Sequence, residues 1–246
     1  MKGELFIDKL CVKRNSSLLI DNFSAHICQG SIVALVGNNG SGKSTFLHTL
    51  AGLLPVASGF LKLNGHSIDT MSPWDRAKIV VLLQQTSPFQ PYCLTQHRIA
   101  HGLVPIHGFS WLNDECIAQI YSQAKKLNIF HLLNRKLNAI SGGEHRLIDI
   151  AKVLINQEAK LILLDEPSVF LDFSQKKILT NNIIERSKSA VTIFSSHDLD
   201  FIENTATEII LIENACATLM SVAQFRSSFN ARSSKSSIAR SGLTPP

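Results

Sequence analysis

Short apolar runs alternate along this chain with stretches whose apolar residues recur at helical spacing, which predicts an α/β protein. Residues 4–10 and 17–28 read as strands. The run SIVALV (31–36) is almost wholly apolar and leads into Gly37, as a buried parallel strand would. A helix is expected to start near Gly42 and stop before Pro55. Residues 59–68 carry Asn64-Gly65 between β-formers, a hairpin signal. Ser72-Pro73 reads as a helix N-cap with proline in the first turn, and a strand is expected from Ile79 to Leu83. Between 93 and 158 the period is helical, as at Ile117, Ile120, Tyr121, Ala124 and Leu127, with no convincing strand. That stretch reads as a helical insertion in an α/β frame. Strands return at LILLD (161–165), AVTIFSS (190–196) and EIILI (208–212). Residues 221–246, rich in Ser and Arg, read as a surface helix followed by a disordered tail. There is no internal repeat.

Composition narrows the field. The 246 residues fit one large domain or two small ones. With 45% apolar and 17% charged residues the chain can build an ordinary core, which excludes a charge-driven disordered protein. The net charge of +5 permits nucleic-acid binding without pointing to it. Five scattered cysteines with no CxxC pair argue against a disulfide framework and against a zinc site. The opening MKGELFIDKL lacks the apolar core of a secretory signal, and no run reaches the ~18 apolar residues of a membrane span. Any membrane role would therefore need another chain to do the spanning.

Three motifs carry chemistry. Residues 37–45 are Gly37-Asn38-Asn39-Gly40-Ser41-Gly42-Lys43-Ser44-Thr45 and fit G-x-x-x-x-G-K-[ST] between a strand and a helix. Gly37, Gly40 and Gly42 allow a sharp turn, and successive N–H groups form an anion nest at the helix N-terminus. Lys43 then reaches the β- and γ-phosphates, while the Ser44 hydroxyl can take a position on Mg²⁺. In LILLDE (161–166), four apolar residues place Asp165 at a strand end, where it could hold Mg²⁺. Glu166 follows, where a base could orient an attacking water. ISGGE (140–144) reads as a tight turn opening a helix through Leu147, Ile150, Ala151 and Leu154, a second anion-binding end.

These motifs occur in one order with a glutamine after a strand (Gln84), SVFLD (168–172) and His197. As a set they resemble the ATP-binding subunit of ABC transporters, over about residues 1–220. The resemblance implies a P-loop NTPase cassette with a mainly parallel core sheet, an N-terminal antiparallel β subdomain and an inserted α-helical subdomain at about 93–158. It implies an ATPase using ATP and Mg²⁺, with Ser44, Gln84 and Asp165 near the metal and Glu166, His197 and Gln84 in catalysis. Ser141, Gly142, Gly143 and Glu144 would cap the ATP held by a second copy, and Asp172 would sense that copy. Gln85 competes with Gln84 for the glutamine role, and counting from the strand favours Gln84. The implied partners are a second copy in a head-to-tail homodimer, transmembrane permease subunits and a substrate-binding protein, with no nucleic acid. The implied location is peripheral, on the cytoplasmic face of the membrane.

The chain departs from the family pattern in several places. Arg14, beside Asn15 and Ser16, stands where an aromatic usually stacks on adenine; a guanidinium can stack there instead. His145-Arg146-Leu147 replaces a run containing Gln-Arg, and Val169-Phe170 is bulkier than usual. SGGE, SSHDLD and QQTSPFQPY look most like importers of iron-siderophores, haem and vitamin B12. Phe89, Pro91 and Tyr92 could equally be a surface loop or the wall of a groove for a membrane partner. An exporter subunit, a soluble ABC-type ATPase acting on nucleic acid or ribosomes, and a binding-only module are the alternatives.

Overall fold

A computed structural model of the chain describes residues 3–15, 17–86, 88, 90–108 and 113–228. Two sheets organise it. In the first, the strand order is β2-β1-β4-β5, all antiparallel: β1 (Glu4–Arg14), β2 (Ser17–Cys28), β4 (Ser58–Leu63) and β5 (His66–Ser67). Leu5 and Ile7 face inward and are covered, as the period of a half-buried strand requires; a bulge at Lys9 (φ 47°) shifts the register, and Leu10 and Val12 are covered beyond it. The β4–β5 turn is built on Asn64 and Gly65, both at positive φ (53° and 80°), as the sequence signal predicts.

The second sheet has the order β10-β9-β3-β8-β7-β6: β3 (Ile32–Gly37), β6 (Val80–Leu83), β7 (Leu161–Leu164), β8 (Val191–Ser195), β9 (Glu208–Glu213) and β10 (Cys216–Ser221). It is parallel except at the β10 edge. Its two faces enter different cores. Leu161, Leu163, Val33 and Leu35 pack toward the first sheet and α1 (Lys43–Leu50). Ile162, Leu164, Ala34 and Phe194 pack toward the helices on the other side. Continuous apolar runs such as LILL arise because a central parallel strand has no solvent face.

The helices are α1, α2 (Pro73–Ile79), α3 (Thr95–Ala100), α4 (Val104–His107), α5 (Asp114–Lys126), α6 (Gly142–Leu154), α7 (Phe173–Ser187) and α8 (Leu199–Thr205). Ser72 caps α2 by accepting from the Asp75 N–H at 3.1 Å. Between 93 and 158 the described residues form helices and the turns that join them, with one isolated bridge between Leu94 and Lys136. Two expectations need correction, and one further strand appears beyond those expected. Ile79 ends α2 instead of opening β6. The buried stripe of α5 is Cys116, Ile120, Gln123 and Ala124, so Tyr121 points outward and packs edge-on against Phe130. Residues 216–221 form a strand because Asn214 and Ala215 adopt positive φ (51° and 59°) and reverse the chain without glycine. The expected tail helix is present at 222–228, with Phe225 buried; 229–246, where disorder was expected, lies outside the described residues, as do Ser16 and Phe89.

Within the helical unit, the turn between α3 and α4 is locked to α6 by a close backbone approach. A Cβ on Gly102 would lie 1.9 Å from the Lys152 carbonyl oxygen. Gly102→Ala is therefore expected to cost about 1–3 kcal/mol or more. Thermal unfolding would show it as a fall in Tm of roughly 2–4 °C per kcal/mol.

Candidate active site

Strand register assembles the site. In the parallel sheet Leu35 pairs with Ser195, and Leu164 pairs with Phe194. The C-terminal ends of β3, β8 and β7 therefore lie side by side, and the loops leaving them share one edge. That edge is where open α/β sheets take ligands.

From β3 the chain enters the 37–45 loop. Gly40 and Gly42 adopt φ of 79° and 103°, conformations that L side chains rarely adopt. A Cβ on Gly42 would sit 2.9 Å from Leu19 Cβ, so β2 presses directly on the loop. Lys43 Nζ donates to the carbonyls of Gly37 (2.7 Å) and Asn38 (3.1 Å). Burial pulls the Lys43 ammonium below the usual lysine range, and the Glu166 and Asp165 carboxylates oppose that shift. Asn39, Gly40, Gly42, Lys43, Ser44 and Thr45 line a cleft of about 300 Å³. Its other walls are Arg14, Leu19, Gln85, Asp165, Glu166 and His197. Asn38 and Ser41 line the back of the same loop, against Ile212 and Glu213.

The carboxylates are held by a serine at the end of β8. Ser195 Oγ donates to Asp165 Oδ1 at 2.6 Å and accepts from the Glu166 N–H at 2.8 Å. Glu166 adopts φ +48°, the left-handed region, with its N–H fixed by Ser195 and its carbonyl by Arg146. Strain of this kind persists where surrounding contacts over-determine the backbone, as they do at many active sites. Glu166 Oε1 lies 3.2 Å from His197 Nε2. Burial pushes the Glu166 carboxyl above the ordinary range; His197 and Lys43 oppose the shift, and Asp165 adds to it. A buried carboxylate facing a half-exposed imidazole, beside a phosphate-type loop, is equipped to accept a proton from water.

Not every expected residue meets here. Gln84 is exposed and absent from the cleft lining, whereas Gln85 lines it. Ser141, Gly142, Gly143 and Glu144 do not line the cleft either. They open α6 in a capping box: Ser141 N–H and Oγ donate to Glu144 Oε2 at 2.7 and 2.8 Å, holding that carboxyl below the usual range. Asp172 caps α7 in the same manner, through Gln175. Ser195, Leu19 and Arg146 are contributors that reading the motifs missed. A hydroxyl directly ahead of Ser196-His197 at the end of a buried strand was the available signal for Ser195.

A family model described as ABC transporter matches residues 20–169 of this chain. The chain belongs to the ABC transporter ATP-binding family. It is 31% identical over 202 residues to the iron(3+)-hydroxamate import ATP-binding protein FhuC of Bacillus subtilis, covering 80% of this chain and 74% of that one. It is 34% identical over 205 residues to the vitamin B12 import ATP-binding protein BtuD of Yersinia pseudotuberculosis, covering 78% and 76%. A solved structure titled "Structure of ATP binding subunit of ABC transporter" shares the fold, with a TM-score of 0.80 at 18% identity over 92% of this chain and 93% of that one. The ABC cassette thus accounts for the paired sheets and the helical insertion. Among the described residues of this family member, no helix is long and apolar enough to cross a membrane.

Proposed function

We propose that this chain binds ATP in the 300 Å³ cleft and hydrolyses it to power import through separate membrane-spanning subunits. The observation that carries the reading is the convergence of Lys43, Asp165, Glu166 and His197 on one cleft, with Glu166 and His197 3.2 Å apart. Phosphoryl transfer needs positioning and charge neutralisation more than covalent chemistry, and this cleft supplies both. The loop N–H groups and Lys43 bind the phosphates. Glu166 accepts the proton of the attacking water, and His197 holds the terminal phosphate and the Glu166 carboxylate in register.

Mg²⁺ fits the residues present. Ser44 and Asp165 line the same cleft, and Ser195 already orients one Asp165 oxygen. Among the described residues no group of three or more His, Cys, Asp or Glu could hold a metal ion. The ion would take its remaining ligands from phosphates and water, as Mg²⁺ usually does. When bound it neutralises phosphate charge.

Ser141 and Gly142 are exposed at the start of α6 and do not line this chain's own cleft. That supports a head-to-tail pair in which each copy offers this turn to the other's nucleotide. The relatedness to FhuC, an iron(3+)-hydroxamate import protein, and to BtuD, a vitamin B12 import protein, supports import of an iron-siderophore or cobalamin. This reading calls for membrane permeases and a substrate-binding protein as partners. Their two cargoes differ, so the cassette sets the energy source and the permease sets the cargo. A peripheral place on the cytoplasmic face follows from this reading.

The test is nucleotide binding by the purified full-length chain. Lys43→Ala removes a charged donor worth about 1.5–3 kcal/mol and is expected to weaken a fluorescent ATP analogue roughly 10–100-fold. Equal affinity in the two proteins would sink the assignment of this cleft.

A further inference from the structure

α6 also carries a buried arginine. Arg146 is 6% exposed, yet its guanidinium meets four backbone carbonyls from two separate segments. One terminal nitrogen donates to the carbonyls of Gln84 (2.9 Å) and Gln85 (3.4 Å), just past β6. The other donates to those of Asp165 (2.5 Å) and Glu166 (2.9 Å), just past β7. The first segment gives the cleft Gln85, and the second gives it both carboxylates. α6 also grips the far end of the loop after β6. Its Asp149 binds Arg98 Nε at 2.8 Å, and Arg98 reaches Gln90 Oε1 at 3.4 Å.

We propose that Arg146 is a positioning residue that couples the loop at 84–85 and the Asp165–Glu166 pair to the helix beginning at Ser141, so that these three move as one. The proposal rests on the reading of this cleft as an ATP site. Its physical basis is geometric. A planar guanidinium presents fixed donors in a fork, and one side chain can bridge two backbones without adding a flexible link. Because Arg146 grips carbonyls, it fixes the main chain at Glu166 and leaves that residue's carboxylate free for His197. An ammonium in the same place is a point donor and could not span both segments equally well.

The experiment compares the full-length wild-type chain with Arg146→Gln and Arg146→Lys. Binding of a fluorescent ATP analogue is expected to stay within about threefold in both variants, because the 37–45 loop is untouched. Turnover of MgATP should fall about 10–100-fold in Arg146→Gln, the cost of a small misplacement at the reacting centre, and recover partly in Arg146→Lys. Hydrogen–deuterium exchange with and without MgAMP-PNP gives a readout that does not depend on turnover. In the wild type, nucleotide should slow exchange in 37–45, 84–86 and 142–154 together. In Arg146→Gln the protection of 37–45 should persist and that of 142–154 should be lost. The proposal is overturned if 142–154 responds equally in variant and wild type, or in neither. It is also overturned if Arg146→Gln loses nucleotide affinity and thermal stability together, which would make Arg146 a fold support only. Failure of the wild type itself to bind nucleotide would instead sink the ATP reading, and would show before any variant is made.

Discussion

Glu166→Gln is expected to lower kcat for ATP hydrolysis by about 10²–10⁴, the usual worth of a positioned general base. The amide keeps the size of the side chain and its place beside His197 but cannot take a proton from water. Nucleotide affinity should hold or tighten, because the change also removes a negative charge from beside the phosphates. Phosphate release by the assembled transporter, read with analogue binding, separates the two effects; activity near the wild-type value would refute the role. The same carboxyl sets a pH profile. Burial raises it above the usual glutamate value of about 4.3, so activity should climb with rising pH through the raised value and level off above it. Stability runs the other way. A carboxyl whose folded pKa is raised favours the fold fully below its unfolded value and loses that contribution as pH rises through the folded value. Glu166→Gln, neutral throughout, should therefore raise Tm at neutral pH, with the gain vanishing in acid.

Asp149→Ala should cost about 3–5 kcal/mol in folding stability, the penalty for stripping a buried ion of its partner. Arg98 and Asp149 are 4% and 3% exposed, and two guanidinium nitrogens lie 2.8 Å from the same carboxylate oxygen. His145 Nδ1 approaches the other oxygen at 3.6 Å. Lys152 is half-buried nearby; desolvation pulls its ammonium down, Arg98 pulls the same way, and Asp149 opposes them. Removing Asp149 thus leaves two cations without compensation between α3 and α6. Replacing the pair together by leucines should cost much less than the single change, since apolar isosteres of buried pairs are often neutral. Denaturant titration of the three variants checks this; a single-variant cost below about 1 kcal/mol would mean the pair is solvated.

The chain made its P-loop legible because that site is written in residue types. Glycines with positive φ, a lysine and a hydroxyl must occur in that order for the backbone to bind an anion. LILLDE was legible for a similar reason, since apolar residues bury a strand and two carboxylates end it. Arg146 was not legible. Its partners are carbonyls, which every residue carries, so nothing in the sequence at 84–85 or 165–166 marks them. The choice between Gln84 and Gln85 turned on which way one loop residue faces the cleft, and strand counting cannot fix that beyond the last ladder pair at Leu83. β10 was missed because its turn uses Asn214-Ala215, which lacks the glycine that marks the turn at Gly65.

The side-by-side strand ends have a consequence for how the chain comes to life. Gly37 and His197 stand next to one another only after β7 and β8 have been inserted between β6 and β3. The anion-binding loop leaves the ribosome long before the histidine that will face it. At about 5–20 residues per second, the wait is on the order of ten seconds. Through most of that interval the growing chain has a phosphate cradle without Asp165 and Glu166, and through all of it without His197. The complete cleft therefore belongs to the late part of synthesis, after β8 has been made and His197 with it.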